Sequence, residues 1–113
     1  MTGISTHVLD LTRGKPASHV PVRLERQDAS GNWQLLNSAT TDADGRCPQL
    51  LGGNELQPGL YRLSFDTASY FAGQGVEPLH PLVAVTFQVR SGESRFHIPL
   101  LLTANGYTTY RGS

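Results

Sequence analysis

Two histidines occupy strands that are otherwise built for burial. His97 lies in Arg95-Phe96-His97-Ile98-Pro99-Leu100-Leu101-Leu102, and His7 in Ile4-Ser5-Thr6-His7-Val8-Leu9. Imidazole titrates near neutral pH, so either side chain could take or give a proton. A histidine in a half-buried strand serves structure as often as chemistry, and His7 alone reads more readily as structural. Arg46 follows the turn Thr41-Asp42-Ala43-Asp44-Gly45; alone it is a solvated loop arginine. Tyr110-Arg111-Gly112-Ser113 alone reads as a dispensable tail. His19 and His80 fall in proline-containing loops and read as structural or solvent-exposed. The single cysteine, Cys47, adjoins Arg46, which could activate it, but no partner makes it a convincing nucleophile. Asp42 and Asp44 suit turn formation better than a carboxylate dyad or a calcium loop. A zinc site would need a third ligand beside the histidines, and the pattern places none there, so neither a metal nor another cofactor is expected.

Short strands must position these residues. Alternation predicts strands over 4–11, 20–26, 33–41, 60–65, 82–89, 95–102 and 106–112, with a short strand beginning at Arg46. Turn residues separate them: Gly14 and Pro16, then Asp28-Ala29-Ser30-Gly31-Asn32, then Asp42 to Gly45, then Ser91-Gly92. Residues 52–59 are rich in breakers and read as loop. The only helix candidate is 66–74, capped by Asp66 or Thr67 and stopped by Gly73 and Gly75. Seven or eight short strands with one short helix mean an all-β, antiparallel β-sandwich. It is expected to be one domain over 1–113.

Period two sorts the candidates onto faces. Phe96, Ile98, Leu100 and Leu102 form the core face of their strand, leaving Arg95, His97, Pro99 and Leu101 on the other. In the first strand Ile4, Thr6, Val8 and Asp10 oppose Ser5, His7, Leu9 and Leu11, and in the last Thr108 and Tyr110 share a face. Proline is confined to sheet edges and bulges, so Pro99 implies irregular pairing beside His97. A face carrying Leu9, Leu11, Pro99 and Leu101 is too apolar for plain exposure. It implies a second buried surface, most simply an oligomer interface, with His7, His97 and Tyr110 within it.

The totals exclude other classes. Nine basic residues balance nine acidic ones, so there is no positive stripe for nucleic acid. Apolar runs such as Leu82-Val83-Ala84-Val85 fall far short of the ~20 residues that span a bilayer. The opening residues lack the blocks of a secretory leader, and the closing three are not a peroxisomal address. A lone cysteine suits a reducing compartment. A cytoplasmic protein is the expectation.

Four stretches taken together resemble one family. They are Thr6-His7-Val8-Leu9-Asp10 with Gly14-Lys15-Pro16-Ala17, Thr41-Asp42-Ala43-Asp44-Gly45-Arg46, His97-Ile98-Pro99-Leu100-Leu101-Leu102, and Tyr110-Arg111-Gly112-Ser113. The sequence resembles, over essentially its whole length, the 5-hydroxyisourate hydrolases, the transthyretin-related proteins of purine catabolism. Leu60-Tyr61-Arg62-Leu63 and Ser69-Tyr70-Phe71 also fit. Leu79-His80-Pro81 departs mildly, since aromatic residues commonly precede that proline. The resemblance implies a transthyretin-like sandwich assembled as a homotetramer, a dimer of dimers. It places His7, Arg46, His97 and the Tyr110–Ser113 tetrapeptide in a channel between dimers.

The implied substrate is 5-hydroxyisourate, and the implied reaction opens a cyclic amide-type bond. That needs a base, stabilisation of an oxyanion and a donor for the leaving nitrogen. No serine–histidine–carboxylate set is evident, so direct attack by activated water is expected rather than a covalent intermediate. The resemblance makes His7 and His97 the base and acid, in either order, and gives Ser113 the orienting of water or of a histidine through its hydroxyl or carboxylate. Arg46 would bind substrate oxygens, while Tyr110, Arg111 and Gly112 would shape the pocket. Two rivals are a non-catalytic small-ligand carrier of the transthyretin type and a sandwich without a small-molecule site. The histidine pair and Arg46 argue against the carrier, whose ligand wants a more apolar lining.

Overall fold

A computed structural model describes residues 3–52 and 56–113; residues 53–55 of the expected loop and the first two residues lie outside that range. Two sheets pack face to face. The first contains β1 (Gly3–Asp10), β2 (Lys15–Pro16), β5 (Arg46–Leu51), β8 (Arg95–Leu102) and β9 (Tyr107–Thr109). The second contains β3 (Pro21–Gln27), β4 (Trp33–Thr40), β6 (Gly59–Phe65) and β7 (Val83–Val89), in the order β4-β3-β6-β7. The alternation read from the sequence decides which faces meet. Ile4, Thr6, Val8 and Asp10 of β1 are buried, as are Phe96, Ile98, Leu100 and Leu102 of β8. Val22, Leu24, Leu63 and Phe65 meet them from the second sheet.

The structure corrects the antiparallel expectation in one place. β1 and β8 run parallel, in unbroken register from Gly3↔Arg95 to Asp10↔Leu102. A hairpin would force an antiparallel pair, but the whole second sheet intervenes between these strands, and a connection of that length permits a parallel one. The other edge of β1 is shared. β5 pairs with its first half, including His7↔Arg46, and the two-residue β2, expected only as a turn, pairs Leu9↔Pro16 and Asp10↔Lys15.

Helix α1 (Thr67–Ala72) is shorter than the 66–74 span the sequence suggests. Asp66 caps it, accepting from Ser69 N at 3.0 Å. It ends in a Schellman motif, with Val76 N donating to Phe71 O (3.0 Å) and Gly75 N to Ala72 O (3.1 Å). Its Tyr70 hydroxyl donates to the buried Asp10 at 2.6 Å, and Arg13 N donates to the other Asp10 oxygen at 3.1 Å. The only fully buried carboxylate of β1 is thereby satisfied, and the helix is tied to the strand that carries His7. No helix among the described residues is long and apolar enough to cross a membrane.

The last strand is also shorter than expected. β9 stops at Thr109, opposite Leu100. The ladder lapses beyond that pair, at Pro99, and returns as a single bridge between His97 and Gly112. Pro99 has no N–H to contribute, which accounts for irregular pairing at this point.

Candidate active site

Parallel pairing of β1 and β8 sets Ser5 beside His97 and His7 beside Pro99 on the face turned away from the core. Ser5 Oγ lies 2.9 Å from His97 Nδ1. A hydroxyl both donates and accepts, so Ser5 can follow the ring through either tautomer, accepting from Nδ1–H or donating to a bare Nδ1. His7 is less free. Its Nε2 lies 2.8 Å from the carbonyl oxygen of Asp44, which only accepts, so Nε2 carries the hydrogen and Nδ1 is left with the lone pair in the neutral ring.

The acidic turn aims Arg46 at the same face. Asp42 Oδ1 accepts from both Asp44 N and Arg46 N at 2.9 Å, closing the loop on itself. Gly45 has φ +75°, and a Cβ there would stand 2.4 Å from Val8 O. Only glycine fits, because the turn presses against the backbone of β1 while Val8 N donates to Gly45 O at 2.7 Å. Arg46 then pairs across from His7.

The result is a cavity of about 210 Å³ lined by Ser5, Thr6, Arg46, Pro48, Arg95, His97 and Ser113. Burial holds the His97 pKa below the ordinary 6.5, and His7, Arg46 and Arg95 push it the same way. His97 is therefore neutral at pH 7 and able to accept a proton. Neither Arg46 nor Arg95 pairs with an acidic side chain among the described residues; Arg95 Nη2 donates to Ser113 O at 3.4 Å, so Arg46 is the one whose charge is left for whatever enters. Cys47, beside Arg46, is inert: burial, reinforced by Asp42, raises its thiol pKa to about 11. No group of three or more metal-ligating side chains occurs among the described residues.

The sequence-based candidates thus divide. His97, Arg46 and Ser113 line one cavity, and His7 adjoins it. Gly112 N donates to His97 O at 2.7 Å, and a Cβ on Gly112 would stand 2.7 Å from His97 Cδ2, so this glycine is what lets the chain lie against the imidazole. Tyr110 and Arg111 are not brought to His97. They line a separate, more apolar cavity of about 280 Å³ with Val85, Phe87 and Phe96. Two lining residues, Ser5 and Arg95, were not singled out as candidates from the sequence. Period two puts each on the face of a histidine, but only the register between the strands makes Ser5 a partner of His97.

A sequence model of the HIUase/Transthyretin family matches residues 4–112. The chain is 44% identical over 111 residues to the 5-hydroxyisourate hydrolase of Mus musculus, covering 97% of this chain and 94% of that one. It is 41% identical over 117 residues to that of Caulobacter vibrioides, covering both completely. Among solved structures, Klebsiella pneumoniae 5-hydroxyisourate hydrolase superposes with a TM-score of 0.86 at 35% identity over all of both chains. Transthyretin from Sparus aurata superposes with a TM-score of 0.92 at 30% identity, over 99% of this chain and 97% of that one. Backbone shape is common to both groups, whereas sequence identity is higher to the hydrolases. The chain belongs to the HIUase/Transthyretin family.

Proposed function

We propose that this protein hydrolyses 5-hydroxyisourate to 2-oxo-4-hydroxy-4-carboxy-5-ureidoimidazoline in urate catabolism. The observation that carries the reading is the His97 imidazole, held by Ser5 in a cavity lined by two arginines, Arg46 and Arg95, neither of which pairs with an acidic side chain among the described residues. The likeness to hydrolases of that name supports it. Water enters the cavity and gives a proton to an imidazole as its oxygen bonds to the ring carbonyl carbon. The oxyanion that forms faces Arg46. As the C–N bond breaks, the leaving nitrogen takes a proton from the imidazolium or from the second histidine. His7 and His97 share the proton transfers, and Ser113 orients the water. Tyr110, Arg111 and Gly112 build the wall that carries Ser113. A positive, polar cavity suits a compact ring rich in carbonyl oxygens and excludes the flat apolar contacts a carrier would need.

The same reading puts the site between subunits of a homotetramer in the cytoplasm. The intersubunit placement is supported by the outward face itself, where half-buried Leu9 and Leu101 flank the histidines beside the exposed Leu11. The test is an ultraviolet assay: 5-hydroxyisourate is generated from urate and its decay followed with and without protein. Accelerated decay, scaled to protein concentration above the spontaneous rate, is expected. Decay at the spontaneous rate, with the protein folded and tetrameric by sedimentation, overturns the reading.

A further inference from the structure

Arg111 faces away from the cavity but is held on three sides. Its Nη1 donates to Glu93 Oε2 at 2.9 Å, its Nη2 donates to Arg95 O at 3.0 Å, and its guanidinium carbon lies 4.0 Å from the centroid of the Phe96 ring. Glu93 is fixed from the other direction. Its Oε1 accepts from Arg90 N at 2.9 Å, closing the loop between β7 and β8. One carboxylate therefore joins that loop to the segment beyond β9, where the strand ladder has lapsed and only the His97–Gly112 bridge remains. Next along the chain, Gly112 N donates to His97 O, and Ser113 O accepts from Arg95 Nη2 at 3.4 Å.

We propose that Glu93 is a positioning residue: through Arg111 it latches the 110–113 segment onto the start of β8 and so sets where Ser113 stands relative to His97. This rests on the hydrolase reading above, since it assigns the latch a part in that reaction. A planar guanidinium with partners at both Nη atoms and an aromatic face has one orientation, and a lysine could not reproduce it. Without the latch, a segment held by one backbone bridge and one long contact from Arg95 is free to shift. A displacement of ~1 Å at a reacting group costs on the order of 10²-fold in rate.

The test has two independent readouts on Glu93→Ala, Arg111→Ala and the double variant. Hydrogen exchange at the Gly112 amide reports the latch. Steady-state hydrolysis of 5-hydroxyisourate reports its consequence. Each single variant is expected to lose Gly112 protection at least tenfold and to lower kcat by about tenfold or more, with KM changed less than threefold. The double variant is expected to be no worse than Arg111→Ala, because Glu93 acts only through Arg111. Glu93→Gln, which keeps an acceptor for Arg111, is expected to recover part of kcat. Unchanged protection in Glu93→Ala overturns the latch. Lost protection with unchanged kcat overturns its catalytic role and leaves a surface contact. Loss of kcat that adds in the double variant also overturns it, since the two residues would then act separately. If the unaltered protein does not speed the decay at all, the hydrolase reading falls, and with it the catalytic role; the exchange data still decide whether the latch exists.

Discussion

The outward faces of the two sheets carry similar residues and treat them oppositely. On the second sheet Glu25 is nearly buried, and its Oε1 accepts from Arg62 Nε and lies near Arg62 Nη2, both at 3.0 Å, with Arg23 at 3.9 Å from the other oxygen. Arg62 also lies over the Trp33 ring, 4.2 Å from its centroid. That cluster lines a cavity of about 290 Å³, larger than the one beside His97, yet both its arginines are in ion-pair range of Glu25 and Asp66 lines the same cavity, so positive and negative charges there balance. On the first sheet Arg46 and Arg95 pair with no acidic side chain among the described residues, and they add to burial and His7 in lowering the pKa of His97. Cavity size does not separate the two faces. Unmatched charge beside a proton-accepting imidazole does, because such an arrangement lowers the energy only of something not yet bound.

The largest effect should come from His97→Asn. The side chain remains polar and close in size, so the fold is kept, while general acid–base catalysis worth about 10²–10⁴-fold is lost. Activity near that of the unaltered protein would return His97 to a structural role. The pH profile sharpens the point. His97 must be neutral to accept a proton, and its folded pKa lies below 6.5, so the acid limb of kcat/KM is expected below pH 6.5. The same shift acts on stability. Between the depressed folded value and the ordinary unfolded one, the unfolded chain binds more protons, so stability rises with pH across that window. Ser5→Asp would set a carboxylate beside the ring and move the acid limb upward; an unmoved limb would assign it to another group.

Gly112→Ala comes next. A Cβ at that position meets His97 Cδ2 at 2.7 Å and His97 O and Pro99 Cγ at 3.4 Å. Either the imidazole turns away from Ser5 or the segment lifts off β8. Both outcomes misplace reacting groups, with a loss of up to about 10²-fold in kcat. Overpacking at one site costs stability by only about 1–3 kcal/mol, so the variant should remain folded. A crystal structure of the variant with an unmoved ring, or full activity, would show that the close approach is incidental.

These residues also show what was legible without coordinates. The faces of β1 and β8 followed from alternation alone, because a strand has no freedom to put His97 with Ile98. The turn that delivers Arg46 was legible because asparagine-like acidic residues and glycine have specific backbone uses. Ser5 was not, since its contact with His97 spans 92 positions and depends on which strands pair and in which direction. Tyr110 was assigned to the histidine face by extending a regular strand to Gly112, but β9 ends at Thr109 and regular alternation carries no authority past that point. Glu93 sits just beyond the Ser91-Gly92 turn with nothing local to single it out, and its partner Arg111 lies 18 positions away in a segment that alone reads as tail.

The smallest effect on activity should come from breaking the matched cluster, and it tests the comparison from its other side. Arg62→Met removes both donors 3.0 Å from Glu25 Oε1 and leaves a carboxylate whose side chain is only 9% exposed. Removing one partner of a buried pair is strongly destabilising because the other charge stays behind. Arg62 is itself 30% exposed, so screening reduces the cost to about 2 kcal/mol. Hydrolysis should be unchanged within twofold at a temperature where the variant is folded. Adding Glu25→Met should then restore much of the loss in urea unfolding, since an apolar pair of similar volume replaces the ions without leaving either one stranded. If instead the double variant is the less stable, the cluster contributes more than matched charge. If Arg62→Met alone abolishes turnover, the second face takes part in the chemistry, and neutralised charge no longer marks a structural surface in this fold.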